Sequence, residues 1–147
     1  MIRTSVSKTV SRLIARLVNG AKLSSKTVMK KLFANGEQGF YYDPNDLSTM
    51  FQDAAGTVPV TGVGQDVGLV KDKSGRNNHA YQTTSASRPI LRQNAVTGAN
   101  YLEFDGRDDF LQTSNIDFTA TDKVSLFVGV RKLSDASLGM LVELSFD

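Results

Sequence analysis

A mainly β fold, a sandwich of short strands preceded by an N-terminal α-helical arm, is what the sequence predicts, and three observations predict it. Before Gly36 apolar residues recur at intervals of three and four, as one stripe of a helix requires. After it glycine, asparagine, aspartate and threonine become dense, and short β-rich runs alternate with turn signals. Charge divides at the same place. Through Gly36 the chain carries eight basic residues (Arg3, Lys8, Arg12, Arg16, Lys22, Lys26, Lys30, Lys31) and no acid, whereas residues 37–147 hold the other nine basic residues and all 15 acids, a sum of −6. The organisation expected is a basic helical arm over residues 1–36 and a β region over 37–147.

In the arm, Val6, Val10, Leu13, Ile14, Leu17 and Val18 line one face of an expected helix over 4–18, which Asn19-Gly20 stops by offering a left-handed residue. A second, shorter helix is expected from Ser24 or Ser25 as N-cap through Val28, Met29, Leu32 and Phe33 to an Asn35-Gly36 stop. Two helices this short do not hold together without tertiary packing, so their apolar faces need a partner. Val6, Val10, Leu13, Leu17 and Leu32 are the expected docking residues. Beside them Lys8, Arg12 and Arg16 form a basic ridge suited to an acidic surface. The ridge can hold phosphates, but aromatic interleaving and any base-reading module are missing, so specific nucleic-acid recognition is not expected.

Composition excludes several classes. A hydrophobic share of 40% with 22% charged residues is that of a globular chain. Absence of cysteine removes disulfides and thiolate metal sites. No apolar run approaches the roughly 20 residues of a membrane-spanning helix. Arg12 and Arg16 interrupt the only stretch that resembles the apolar part of a secretory signal.

Seven strands are expected: 39–42, 79–83, 90–92, 101–104, 110–112, 124–131 and 140–146, with one helical turn over 46–52 capped by Asn45 or Asp46. The stretch 124–131 has so few polar residues that burial on both faces is expected. The sequence stops inside the last apolar run, so a continuation of the sandwich beyond residue 147 is expected.

Two segments carry the most information. One is Asp72-Lys-Ser-Gly-Arg-Asn-Asn-His-Ala80; the other is Tyr101-Leu-Glu-Phe-Asp-Gly-Arg-Asp-Asp-Phe-Leu-Gln112. The pair resembles the laminin-G-like, concanavalin A-like jelly-roll family. Asp72, Ser74, Gly75, Asn78 and His79 match its first element, and Phe104, Asp105, Gly106, Asp108, Asp109 and Phe110 match its second. The stretch from Gly39-Phe-Tyr-Tyr-Asp through Val67-Gly-Leu-Val-Lys-Asp-Lys-Ser-Gly75 is similar to bacteriophage virion proteins that begin this domain in the same way. The resemblance covers about residues 33–147. It implies a partial jelly-roll sandwich in a virion structural protein, such as a tail fibre, an adhesin or a similar appendage. Its expected partners are other virion proteins, copies of itself with a trimer as the expected oligomer, and a host-surface glycan.

Residue chemistry points the same way. In Phe104-Asp-Gly106 the Asp105 carboxylate is suited to accept nearby backbone N–H groups while Gly106 supplies a left-handed φ, which makes a structural turn. Clustered carboxylates at 105, 108 and 109 are also hard oxygen ligands, so calcium is the alternative; otherwise no cofactor is expected. A Ser-His-Asp triad would have to use His79, the only histidine, with Ser74 or Ser85, and no nucleophile elbow accompanies them. Glu103 and Asp105 share one strand face without the third acid of a glucanase pattern, and Gly62-Val-Gly64 reads as a loop. No catalytic residue is expected. The competing function is a free carbohydrate-binding module or glycan hydrolase domain. With Trp absent and 4 Tyr, the aromatic platform such a module offers to sugars is thin.

Overall fold

The computed structural model describes residues 25–119, 124–132 and 140–144. The expected first helix, with Val6, Val10, Leu13, Leu17, Arg12 and Arg16, lies outside them. Helix α1 spans Ser25–Leu32. Phe33 to Asn35 form a turn, and Gly36 takes φ +88°, the left-handed conformation that ends a helix and that glycine adopts without a Cβ clash.

Short antiparallel strands make up the rest of the regular structure. β1 (Met50–Phe51), β2 (Leu69–Val70) and β3 (Ala80–Tyr81) form one sheet in that order, with Met50 opposite Val70 and Val70 opposite Ala80. β4 (Ile90–Gln93) and β5 (Asn100–Glu103) form a second sheet, with Leu91 opposite Leu102. Their turn is closed by Asn94, whose side chain accepts from the N–H groups of Val96 and Thr97, while Gly98 at φ +70° turns the chain back. The stretch 64–70 joins the two sheets. Gly64 N–H donates to Leu91 O, Leu91 N–H to Gln65 O and Val67 N–H to Pro89 O; the next residues enter β2.

Gly68 sits where this stretch crosses. Its N–H donates to Phe51 O and its carbonyl accepts from Gln82 N–H. A Cβ there would lie 2.6 Å from Gln52 O and 2.9 Å from the backbone carbon of Asp53, so the close approach of three segments depends on a residue without a side chain.

The core lies between the two sheets' inner residues. Met50, Val60, Val67, Val70 and Leu91 are buried together, and Tyr42, Leu47, Leu102 and Leu111 pack on them. It draws one or two side chains from each segment, and of the described residues after 103 Leu111 packs on it.

Several expectations are corrected. The segment 46–52 is not one helical turn: Leu47–Thr49 is a single 3₁₀ turn, and Met50 extends into β1 because Val60 N–H and the β2 partners take up its backbone groups. β2 was not expected as a strand at all. Of the expected strand 79–83 only Ala80–Tyr81 pairs, and 110–112 contributes one isolated bridge, Gln112 to Tyr81. The stretch 39–42 is not a strand, since Tyr41 N–H donates to the Asp72 side chain rather than to a neighbouring backbone. The described parts of 124–131 and 140–146 contain no strand, and burial of the former is overturned. Phe127 is 66% and Val130 65% exposed, with Val124, Leu126 and Val128 about half exposed. The described residues thus form small antiparallel sheets rather than seven sandwich strands.

Candidate functional site

The loop 72–79 is organised around one carboxylate. Asp72, 9% exposed, accepts at Oδ1 from the N–H groups of Tyr41 (2.9 Å) and Ser74 (2.8 Å), and at Oδ2 from the Ser74 hydroxyl (2.6 Å) and Asn78 N–H (3.1 Å). Four donors satisfy the carboxylate, a way of stabilising a buried charge that uses fixed dipoles. Gly75 at φ +88° and Asn77 at φ +60° bend the loop far enough for its two ends to reach the same side chain.

The loop also grips the chain that leads out of α1. The Asn78 amide donates to Gly39 O (2.7 Å), the Arg76 guanidinium to Phe33 O (2.9 Å), and the Tyr42 hydroxyl to Asn78 O. Burial, and then the nearby Asp72 charge, push the Tyr42 phenol well above its ordinary value, so it stays a donor. Further along, Lys73 reaches Asp43 (3.2 Å) and Asp46 (2.7 Å). The Lys73 hydrogen bond, ahead of that from Ser48, holds the Asp46 carboxyl below its ordinary value.

These bonds fix the roles of the candidate nucleophile and base. The Ser74 hydroxyl donates to Asp72 and accepts from Arg76 N–H. His79 Nδ1 accepts from Asp72 N–H (3.0 Å), so in the neutral ring the proton lies on Nε2. Both side chains therefore brace the backbone, and no hydrogen bond joins them among the described residues. Ser85 lies in a separate 3₁₀ turn, Ser85–Ser87.

In the second motif the Asp105 carboxylate accepts from the N–H groups of Arg107 (2.8 Å), Asp108 (3.3 Å) and Asp109 (3.4 Å), and Gly106 stands at φ +74°. Arg107 N–H is the main cause of the lowered Asp105 carboxyl. Asp109 accepts from Asp105 N–H and Asp108 from the Ser87 hydroxyl, so the three carboxylates serve three different bonds. Burial first, then the charges of Asp105, Asp108 and Asp66, raise the Asp109 carboxyl. Among the described residues no three acids or histidines come together as a metal site would require, and the bonds to Asp105 are those of a structural turn.

Beside His79 lies a cavity of about 370 Å³ that no motif in the sequence marks. Leu69, Ala54 and Gly56 line it with apolar atoms, and Lys71, Asn77, His79, Tyr81 and Ser114 are the polar residues of its lining. Gly56, at φ +72°, leaves the wall open where a Cβ would meet Leu69 at 2.9 Å. Lys71 follows β2 and Tyr81 ends β3, a placement that depends on strand pairing and leaves no motif in the sequence. Of the expected docking residues only Leu32 is described; it ends α1, half-buried. Among the described residues no helix is long and apolar enough to cross a membrane.

Comparisons of the chain with family models, with curated proteins and with solved structures found no match.

Proposed function

We propose that this protein is a non-enzymatic component of a bacteriophage particle, a tail fibre, adhesin or similar appendage, with a β region of the concanavalin A-like, laminin-G-like jelly-roll type. The basic arm docks into the particle through Val6, Val10, Leu13, Leu17 and Leu32, with Arg12 and Arg16 on an acidic surface of another virion protein, and the β region projects towards a host glycan. The observation that carries the reading is the paired motif at 72–80 and 101–112, whose polar residues are engaged in holding backbone together. Asp72, Ser74, Asn78 and His79 each accept or donate bonds that shape the loop, and Asp105 closes the second turn. A scaffold of this kind suits an attachment protein, in which rigidity and not turnover is required. The charge division supports the arm's role, since arms that carry eight positive charges per chain repel one another when packed together in a trimer unless an acidic partner surrounds them.

The test is recovery of the chain from purified particles, with Leu13→Asp as the variant. Burying one leucine side chain stabilises by roughly 1.5–3 kcal/mol, and an aspartate in its place adds a desolvation cost, so incorporation should fall at least tenfold. Charge reversal of Arg12 and Arg16 should weaken incorporation in a salt-dependent way. Normal assembly of Leu13→Asp would show that the apolar stripe is not the docking face; absence of the wild-type chain from particles would sink the function.

A further inference from the structure

The cavity beside His79 is not explained by the scaffold role of the motif. Five of the residues that line it carry polar side-chain groups: the Lys71 ammonium, the Asn77 amide, His79 Nε2, and the Tyr81 and Ser114 hydroxyls. Among the described residues none of them has a hydrogen-bond or ion-pair partner within the chain; Lys71 only overlies the Phe51 ring, 4.5 Å from its centroid. Other polar side chains of the same region are engaged. Asp53 accepts from Thr57 and Val58, Asp72 from four donors, and Arg88 donates to Gln82 O and Thr83 O. No carboxylate is among its lining residues, and Lys71 is the one lysine or arginine there.

From this geometry we infer that the cavity is a binding site for an acidic sugar, a monosaccharide unit bearing one carboxylate. A volume of about 370 Å³ lies within the small-molecule range of roughly 300–1,000 Å³ and far exceeds what a bare inorganic anion fills. One ammonium matches one carboxylate by a charge-assisted bond. The amide and two hydroxyls both donate and accept, which suits a ring of sugar hydroxyls, whereas a simple oxyanion uses only donors. His79 is held with Nδ1 on Asp72 N–H, so Nε2–H adds a donor of fixed direction. The wall of Leu69 and Ala54 offers an apolar surface to the C–H face of the ring.

The inference deepens the proposed attachment role by giving the glycan a class and a place, and it rests on that reading only for its biological meaning. The test is titration of the full chain with sodium glucuronate, glucose and sodium phosphate, followed by calorimetry and by the nitrogen NMR shift of His79 Nε2. Glucuronate is expected to bind saturably and move the His79 signal, with glucose at least tenfold weaker. Lys71→Met should reduce glucuronate affinity about tenfold, the loss of one charge-assisted bond. Tyr81→Phe keeps the ring and should weaken binding by a few-fold. Both variants leave the core untouched, and β-type circular dichroism checks their folding. Equal binding of glucose overturns the acidic class, binding of phosphate as tight as that of glucuronate overturns the sugar, and no saturable binding overturns the site. Recovery from particles is read independently, so a chain that assembles without binding glucuronate loses this inference and keeps the attachment role.

Discussion

Asp72 shows how much one residue can organise when its charge is satisfied by dipoles. Asparagine in its place keeps the shape but turns one acceptor into a donor, setting an NH₂ against Asn78 N–H or against Tyr41 and Ser74 N–H. Bonds to a charged group contribute about 1.5–3 kcal/mol each, and a buried donor left facing another donor costs a similar amount, so Asp72→Asn should lose about 3 kcal/mol. A lower urea midpoint at unchanged slope is the expected result; an unchanged midpoint would mean that the four bonds contribute nothing net. The motif containing Asp72 was visible in the sequence through its resemblance to an element of the laminin-G-like, concanavalin A-like family. Its reach to Tyr41 and Gly39 was not, since nothing local marks which distant N–H groups a carboxylate will collect. The same reason hid Lys71, Tyr81 and Ser114, which are ordinary residues until strand pairing gathers them.

At the scale of elements, the β4–β5 hairpin separates two sources of stability. Arg92 and Glu103 form a diagonal ion pair at 2.6 Å, but their side chains are 43% and 35% exposed, and pairs of this kind contribute about 0–1 kcal/mol. Leu91 is fully buried, and a leucine-to-alanine change in a core costs about 2–5 kcal/mol. Leu91→Ala should therefore destabilise at least twice as much as Arg92→Ala, and a double-mutant cycle on Arg92 and Glu103 should give a coupling under about 1 kcal/mol. A larger coupling would place the hairpin's stability on its surface. This hairpin was legible because both strands carry β-rich runs separated by turn residues. β1 was not, because Asp46 reads as a helix cap and a two-residue strand is fixed only by its partners. For 124–131 the apolar run suggested burial, yet a run of hydrophobic residues specifies a preference without specifying what satisfies it, and the described packing leaves these side chains exposed.

For the whole molecule, carboxylates set the response to acid. Asp53 is held down to about 2, chiefly by the Thr57 hydroxyl and then by Val58 N–H, and Asp46 and Asp105 are lowered by Lys73 and by Arg107 N–H respectively. A carboxyl whose folded value is depressed stabilises the fold fully above its unfolded value and progressively less as the pH falls through the folded one. Stability should thus hold down to about pH 4 and decline between about pH 4 and 2. Asp109 has the opposite sign, since its raised carboxyl destabilises the folded state above that value and ceases to do so in acid. Asp109→Asn should then raise the melting temperature at pH 7 and have no effect near pH 3, measured by thermal scans at both values. An equal change at the two would assign the effect to packing.

The bonds from the 72–79 loop to Phe33, Gly39 and Tyr41 give the molecule a mechanical property. Tension applied to the chain ahead of Phe33 meets the Arg76 clasp first, then Asn78 and Asp72, before any of it reaches Met50. The Asn78 and Asp72 clasps are joined, since Asn78 N–H donates to Asp72, and their partners belong to a loop and not to a packed strand. A tug at the N-terminal end is thereby loaded onto this loop ahead of the sheets behind it.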